Sequence, residues 1–260
     1  MNTLVMKFGG AATATAQHFS HLADLIIARR RDFPRVVVVV SAMEGYTNHL
    51  IELAHQVHDS PPQRELDMLM SVGERISMSL LAMALCAKQQ EAISFTGSQS
   101  GIVTCSQHNN AQIIDVRPQR IHTSLDEDKI VIIAGFQGVS LAKEITTLGR
   151  GGSDTTAVAL AIALKASHVE FYKDVPGFFS QDPKKNLEAT CFEEMNYDLA
   201  LTIANQGAKV LHPRAIALAA KNGLPLHVRS FISSYLDHPG TKICTSRKRT
   251  EHPLFEEISA

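Results

Sequence analysis

The sequence predicts an α/β fold, a three-layer αβα sandwich with a mostly parallel central sheet. Short apolar runs of strand length alternate with longer runs whose apolar residues recur at helical spacing. The run at residues 35–41 contains five consecutive valines, which is typical of a strand buried on both faces of a parallel sheet. A chain of 260 residues, of which 45% are hydrophobic and 20% charged, can bury a large core.

The predicted elements follow one another in regular order. Predicted strands cover residues 3–8, 35–41, 92–95, 129–134, 168–172 and 226–230. Predicted helices cover residues 15–31, 47–58, 63–88, 153–165, 197–205 and 213–222, the third with a break near Gly73. Residues 135–152 form a long polar segment rich in glycine. We expect one domain over residues 1–243 and a polar tail over residues 244–260.

Composition excludes several classes of protein. The formal net charge is −1, with acids and bases interspersed, which argues against a nucleic-acid partner. No apolar run approaches the ~20 residues of a membrane helix, and the N-terminus lacks a signal-peptide pattern. The four cysteines form no CxxC pair, which favours reduced thiols. We therefore expect a cytoplasmic protein with no membrane partner and no metal site among its twelve histidines.

Polar segments rich in glycine follow several predicted strands, where open α/β sheets bind ligands. At residues 7–10, KFGG, the lysine and backbone N–H groups suit a phosphate, although the motif alone is weak. In residues 41–48, the pattern favours Thr47 as an ordinary N-cap over a helix N-terminus that binds a substrate carboxylate. Residues 146–157, TTLGRGGSDTTA, are more specific, because glycines, hydroxyls, Arg150 and Asp154 precede a helix and together suit an anion.

Two later segments carry further candidates. Residues 172–185, YKDVPGFFSQDPKK, indicate a hairpin-like loop after a strand. Residues 205–215, NQGAKVLHPRA, join two helices, with Gly207 as a C-cap and Pro213 at a helix start. Lys209 between them is either solvated or a phosphate contact. The sequence contains no GxxxxGK[ST], GxGxxG, HRD or DFG motif, so a nucleotide enzyme with this sequence belongs to another family.

Together with MSVGER at residues 70–75, these segments resemble the aspartate kinases of the amino acid kinase family. The motifs KFGG, VVSAMxGxTN, MSVGER, TTLGRGGSD, DVPGxxxxDP and GAKVLHPRA occur in family order across residues 4–243. The resemblance implies an eight-stranded, mostly parallel sheet, with an amino acid lobe followed by a nucleotide lobe. It also implies transfer of the ATP γ-phosphoryl group to L-aspartate, which gives 4-phospho-L-aspartate for lysine, threonine and methionine biosynthesis. Mg²⁺ would be held mainly through the ATP phosphates.

The resemblance implies roles for the matched residues. The catalytic residues would be Lys7, Asp154 and Lys209, with the lysines neutralising phosphates and the aspartate holding them. The amino acid would contact Ser41, Thr47, Glu74, Phe136, Arg150 and Ser153. The nucleotide would contact Lys7, Gly9, Gly10, Lys173, Asp174, Phe179, Lys184 and Lys209. Because the aspartate carboxylate is already ionised, the reaction needs positioning and charge neutralisation more than a strong base.

The chain also departs from the aspartate kinase pattern. Ala11-Ala12 replace the Thr-Ser of the usual KFGGTS, which removes two possible phosphate donors. Lys173, Phe179 and Lys184 stand where threonine, tyrosine and arginine are usual. Only 17 residues follow Ile243, too few for the ACT regulatory domains that aspartate kinases usually carry. We therefore expect neither lysine nor threonine to inhibit this chain alone.

Two alternatives to an aspartate kinase stay open. A kinase of another small amino acid would also need an acid for the ammonium and an arginine for a second carboxylate. A binding protein that has lost turnover is favoured by Ala11-Ala12, but the retained charged residues count against it. A homodimer through the kinase domain is a further expectation. The long helix offers apolar residues either for that interface or for the monomer core: Leu69, Leu80 and Leu81.

Overall fold

The computed structural model describes residues 2–181, 183, 186, 188–244 and 249–257. Its strands are β1 Thr3–Phe8, β2 Arg35–Val40, β3 Ala92–Phe95, β4 Ile102–Thr104, β5 Ile113–Val116, β6 Ile130–Ala134, β7 Gln137–Ser140, β8 Ile145–Thr147, β9 Val169–Lys173, β10 Glu194–Met195, β11 Leu226–Ser230 and β12 Thr241–Ile243. Its helices are α1 Ala16–Arg30, α2 Tyr46–Val57, α3 Gln63–Met70, α4 Val72–Ala87, α5 Gln119–Asp126, α6 Gly152–Ala163, α7 Tyr197–Asn205 and α8 Pro213–Asn222.

An eight-stranded sheet with the order β10-β12-β11-β9-β1-β2-β6-β3 forms the centre of the fold. The strands from β11 to β3 are mutually parallel, whereas β12 pairs antiparallel with β11. Helices α1 and α4 pack on one face, and α5, α6 and α8 lie on the other. The predicted three-layer sandwich with a mostly parallel sheet is confirmed.

Side-chain alternation along β1 separates two hydrophobic cores and directs one lysine. Leu4, Met6 and Phe8 belong to the core beneath α1 and α4, whereas Val5 belongs to the core beneath α6 and α8. Successive side chains of a strand point to opposite faces, so Lys7 shares the α6 face with Val5. This register places the Lys7 ammonium beside the first turn of α6.

A second, four-stranded sheet has the order β5-β4-β7-β8 and lies against α3. The sequence prediction was wrong here, because residues 135–152 contain β7 and β8. These strands have four and three residues, too few to show a periodic pattern. Gly138 is required in β7, since a Cβ there would lie 2.6 Å from the Thr104 side chain. The strands β4, β5, β10 and β12 and helix α5 were also not predicted.

The helical stretch Gln63–Ala87 is interrupted at Ser71 rather than near the predicted Gly73. By length and composition alone it could cross a membrane, with a mean hydropathy of 1.4 over its most apolar window. However, it packs on α1 and the central sheet and carries the buried acids Asp67 and Glu74, so we interpret it as a core helix. Leu81 is fully buried in that core and is therefore not available to an interface.

Candidate active site

A cleft of about 700 Å³ opens at the carboxyl ends of β1, β2 and β6. This edge is where a parallel sheet presents the loops that follow its strands. Nine of the predicted site residues line the cleft together: Lys7, Gly10, Ser41, Thr47, Glu74, Phe136, Arg150, Ser153 and Asp154. The structure thus brings residues of KFGG, SAMEGYTN, MSVGER and TTLGRGGSD into one concave site.

Other predicted nucleotide contacts lie beside this cleft or away from it. Gly9 lies against the Lys7 ammonium, where a Cβ would be 3.6 Å from Nζ. The Asp174 carboxylate attracts the Lys173 ammonium, and Phe179 forms an isolated β-bridge with Cys191. Lys209 is exposed between α7 and α8, and Lys184 lies outside the described residues. Their roles in nucleotide binding stay predictions.

A buried ionic cluster forms one end of the cleft. The Lys7 ammonium lies 2.6 Å from Asp154 Oδ1, and the Lys173 ammonium lies 3.6 Å from Asp154 Oδ2. The His212 N–H also donates to Asp154 Oδ2 over 3.3 Å. Burial would raise the pKa of Asp154, but Lys173 and Lys7 outweigh it and lower the pKa to about 2. Asp154 is therefore ionised near neutral pH and is a poor general base.

Lys173 titrates much closer to neutral pH than a solvated lysine does. Burial lowers its pKa to about 8, with repulsion from Lys7 acting in the same direction and attraction to Asp154 opposing both. The two lysines thus share the buried Asp154 carboxylate, whose one negative charge cannot fully neutralise both of them. Such a cluster suits a polyanion such as a triphosphate.

Glu74 lies at a second position of the cleft and has one free oxygen. Its Oε1 accepts the Ala42 N–H over 3.0 Å, whereas its buried Oε2 has no hydrogen-bond partner among the described residues. Burial raises the pKa of Glu74 to about 7, and the Ala42 N–H and Lys7 offset only part of that effect. A buried acceptor without a partner is costly, so Oε2 is ready for a cationic ligand.

Two helix N-termini face the cleft, and each begins after a glycine with a left-handed backbone. Gly45 precedes α2 with φ of 78°, so Thr47 lies inside the first turn and is not the N-cap. Gly151 precedes α6 with φ of 73°, which places Ser153 and Asp154 in its first turn. Backbone N–H groups at these ends attract anions, which suits carboxylate and phosphate groups in the same cleft.

Phe136 lines the cleft in a strained backbone conformation. Its φ of 68° is left-handed, which is rare for an aromatic residue. The Phe136 N–H donates to Thr156 Oγ1 over 3.1 Å, and a Cβ on Gly152 would lie 3.0 Å from the Phe136 ring. Packing against α6 therefore fixes this residue at the cleft wall.

Ala11 and Ala12 lie in the 3-10 turn Gly10–Thr13 that follows β1. Ala12 is fully buried in the core beneath α1 and α4, so a hydroxyl at this position would face that core rather than the cleft. Ala11 is exposed and does not line the cleft. The hydroxyl that links the loops is Thr13 Oγ1, which donates to Ala42 O over 3.2 Å.

Sequence reasoning missed a polar cluster that supports the cleft. Asp67 is fully buried and accepts hydrogen bonds from Thr147 Oγ1 at 2.5 Å and from the Asn109 N–H at 3.1 Å. It also lies 2.6 Å from His108 Nδ1. Asn109, which lines the cleft, is held in a left-handed conformation by this contact. The only sign of this cluster in the sequence was Asp67, an acid among the apolar residues of a predicted helix.

The described residues provide no metal cage within the cleft, because the oxygens of Asp154 already pair with two lysines. The side chains of His168, Glu170 and His227 do cluster elsewhere, with ligand atoms within 4.8 Å of one another. However, Arg29 already holds the Glu170 carboxylate in a fork, at 3.1 and 2.7 Å. That second group is therefore poorly suited to a cation.

Comparison with known proteins places these motifs in context. The model of the amino acid kinase family matches residues 2–230. An aspartokinase of Mycobacterium tuberculosis is 49% identical over 267 residues, covering 100% of this chain and 62% of the relative. An aspartokinase of Geobacillus stearothermophilus is 50% identical over 259 residues, covering 100% of this chain and 63% of the relative. The chain thus spans about three fifths of the length of these relatives.

Solved structures show the same fold. Aspartate kinase from Synechocystis superposes with a TM-score of 0.85 at 42% identity, covering 98% of this chain and 42% of that one. Aspartokinase III of E. coli, in complex with aspartate and ADP, superposes with a TM-score of 0.84 at 26% identity. That superposition covers 95% of this chain and 65% of the E. coli chain.

Proposed function

Because the chain belongs to the amino acid kinase family, we propose that it acts as an aspartate kinase. It would transfer the γ-phosphoryl group of ATP to the side-chain carboxylate of L-aspartate and release ADP and 4-phospho-L-aspartate. The observation that carries this proposal is the Lys7–Asp154–Lys173 cluster, of which Lys7 and Asp154 line one cleft with Glu74 and Arg150. The similar aspartokinases, one in complex with aspartate and ADP, support the same substrates.

The proposed reaction is an in-line displacement. A carboxylate oxygen of aspartate forms a bond to the γ-phosphorus, and the bond to the β,γ-bridging oxygen breaks, leaving its electron pair on ADP. No proton has to move, because the acceptor is already a carboxylate. The main obstacle is repulsion between two anions, which Lys7 and Lys173 would reduce. Asp154 holds both ammonium groups in place through its ion pairs.

The amino acid would be recognised in the same cleft by Glu74 and Arg150. The free Oε2 of Glu74 suits the substrate ammonium, and the guanidinium of Arg150 suits a carboxylate. Ser41, Thr47 and Ser153 add hydroxyl groups to the same wall. The substrate would thus lie beside the N-termini of α2 and α6, with its side-chain carboxylate toward the ionic cluster and the phosphates.

Mg²⁺ would accompany ATP and supply further neutralisation of the phosphate charge. The ionic cluster offers ammonium groups rather than free carboxylates. We therefore propose that phosphate oxygens and water supply most ligands of the ion. The absence of a side chain at Gly9 would let phosphates approach the Lys7 ammonium, since a Cβ there would lie in contact with Nζ at 3.6 Å.

Trapping of the acyl phosphate with hydroxylamine tests the proposed reaction. The purified chain would be incubated with ATP, Mg²⁺ and each of several amino acids, and the hydroxamate would be quantified. We expect strong formation with L-aspartate and little with L-glutamate or L-asparagine. Preference for another amino acid would replace the proposed substrate. ATP binding without hydroxamate from any amino acid would instead favour a binding protein.

A cytoplasmic location and a homodimer complete the proposal. All four cysteines are free thiols, which supports a reducing compartment.

Along α4, Val72 and Met83 are exposed by 38% and 65%, and Ile76 and Leu80 lie between them on the same helix face. This apolar stripe supports an isologous interface between two kinase domains. Light scattering that gives a monomer mass at assay concentration would contradict the dimer.

A further inference from the structure

Arg214 lies in the HPR turn at the start of α8 and joins two loops of the cleft to the C-terminal segment. Its NH1 donates to Leu148 O and its NH2 to Ala111 O, both over 2.6 Å. Its Nε and NH2 also donate to the Glu256 carboxylate, the latter over 2.7 Å. Leu148 directly precedes Gly149 and Arg150 in the cleft wall. The guanidinium thus anchors the loop that presents Arg150.

Glu256 binds the other loop through its backbone as well as its carboxylate. Its Oε2 accepts the Ile113 N–H over 2.8 Å, and its own N–H donates to Ile113 O over 3.0 Å. Ile113 begins β5, directly after the loop that contains Asn109. The Glu256 side chain is only 12% exposed, so its ion pair with Arg214 is shielded from water.

The position of Glu256 is set independently of Arg214. Residues 249–257, which we term the C-terminal strap, lie along the end of α8. The buried Asn222 side chain accepts the Leu254 N–H over 2.9 Å and donates to Leu254 O over 2.8 Å. The Phe255 side chain packs against the main core. The strap is therefore fixed at Leu254 and Phe255, and this anchoring presents the Glu256 carboxylate to Arg214.

The two loops also contact each other directly. The Ala111 N–H donates to Thr147 O over 2.9 Å. A Cβ on Gly149 would lie 3.0 Å from Asn109 O, so the loops are packed closely at this point. Displacement of either loop would therefore move Asn109 and Arg150 together, and both line the cleft.

We propose that Glu256 is a positioning residue for the amino acid end of the cleft. It acts through Arg214, whose fork holds the 148–150 loop against the 109–113 loop. This inference rests on the proposed function for its kinetic consequence. The strap would hold Arg150 where it can bind a substrate carboxylate, while the two lysines of the Lys7–Asp154–Lys173 cluster come from β1 and β9 of the central sheet. Loss of the Glu256 charge should therefore weaken amino acid binding selectively.

The kinetic test compares Glu256→Gln with Glu257→Gln. Both substitutions remove one negative charge from the strap, but Glu257 is exposed and pairs only with Lys221 among the described residues. We expect Glu256→Gln to raise KM for the amino acid about tenfold and to leave KM for ATP within about twofold. Glu257→Gln should change neither. An unchanged KM for the amino acid, or equal increases in both KM values, would overturn the proposal.

Hydrogen exchange tests the same inference without relying on turnover. In the ligand-free chain, Glu256→Gln should accelerate exchange of the Ala111 and Leu148 amides about tenfold relative to Glu257→Gln. Exchange in β1 and α1 should be unchanged. Uniform acceleration would indicate global destabilisation and would overturn the proposal, as would no acceleration. If the unmodified chain phosphorylates no amino acid, the proposed function fails, and exchange still decides whether Glu256 positions the loops.

Discussion

Asp154 and Glu74 are both buried in the cleft, but cations contact only one of them. Two lysines adjoin Asp154 and hold its pKa near 2, whereas burial keeps the pKa of Glu74 near 7. The contrast assigns the two acids different tasks. Asp154 is a permanent anion that positions cations. Glu74 becomes an anion near pH 7, where a free amino acid still carries its ammonium group.

Substitution of Glu74 should therefore change the pH dependence of amino acid binding. With a pKa of about 7, Glu74 is mostly protonated at pH 6 and mostly ionised at pH 8. Only the ionised form attracts an ammonium, so KM for the amino acid should fall about tenfold between these pH values. In Glu74→Gln, KM should be high and nearly independent of pH. Steady-state kinetics at several pH values provides the measurement, and parallel profiles would contradict this role.

Substitution of Lys7 should reduce turnover rather than binding of the amino acid. Lys7→Met keeps an unbranched side chain in the buried site, and Lys173 still pairs with Asp154. Loss of one charge from the ionic cluster should lower kcat about 100-fold or more. Lys242→Met, at an exposed lysine of β12, is the matched control. A kcat near that of the control, with an intact circular dichroism spectrum, would remove Lys7 from the mechanism.

Motifs could identify the cleft residues whose chemistry is local. Lys7, Arg150 and Asp154 were predicted because each lies in a glycine-rich segment beside a strand or helix end, and Glu74 was predicted because MSVGER resembles a family motif. Asp67 could not be assigned in this way, since its partners come from distant segments that only the folded chain brings together. Lys209 illustrates the converse, because its motif is specific but its side chain is exposed outside the cleft.

The junction between α6 and α8 depends on a glycine that has no room for a side chain. Gly151 has φ of 73°, and a Cβ there would lie 2.0 Å from the His212 ring. His212 is in turn the N-cap of α8, where its side chain accepts the Arg214 N–H. Two helix starts therefore meet at this glycine, directly behind Asp154.

We expect Gly151→Ala to destabilise the fold far more than Gly207→Ala. Both glycines have positive φ, but a Cβ on Gly207 would meet nothing within 4 Å. Gly207→Ala should cost about 1–2 kcal/mol of unfolding free energy, from backbone strain alone. Gly151→Ala should cost about 1–3 kcal/mol more, because the clash adds to that strain. Urea denaturation measures both substitutions. Equal losses of unfolding free energy would show that the His212 ring moves away from the new Cβ without destabilising the fold.

Secondary structure was predictable where an element has a strong internal pattern. The bounds of β1, β3, β11, α7 and α8 agree with the prediction, since each combines an apolar run with clear flanking turn residues. The small sheet was not predictable for the opposite reason. Its strands have three or four residues, and their pairing with partners far along the chain determines them.

At the scale of the whole molecule, a buried ionic network joins the helix layer to the central sheet. Glu170 of β9 accepts a fork from Arg29 of α1 and a hydrogen bond from Tyr172 OH at 2.9 Å. Arg229 of the neighbouring strand β11 lies 3.8 Å from the same carboxylate. Although burial would raise the pKa of Glu170, His168 and Arg29 lower it to about 2.

This network should contribute stability that is lost in acid. A carboxyl group with a depressed pKa stabilises the fold fully above its unfolded pKa of about 4.5, and this contribution declines as pH falls toward 2. At pH 6, Glu170→Gln should cost about 3 kcal/mol of unfolding free energy, because glutamine cannot make the charge interactions that depress the pKa of this carboxyl group. At pH 3 the difference from the unmodified chain should be clearly smaller, since part of the Glu170 contribution is already lost.

Asp32→Asn is the matched control for Glu170→Gln, because Asp32 pairs with the same Arg29 at 2.5 Å but is 62% exposed. An exposed ion pair contributes little, so this substitution should cost less than about 1 kcal/mol at either pH. Denaturant titrations of the three proteins at pH 6 and pH 3 provide the comparison. A cost of Glu170→Gln that is the same at both pH values would show that the carboxylate stabilises the fold by packing rather than by its charge.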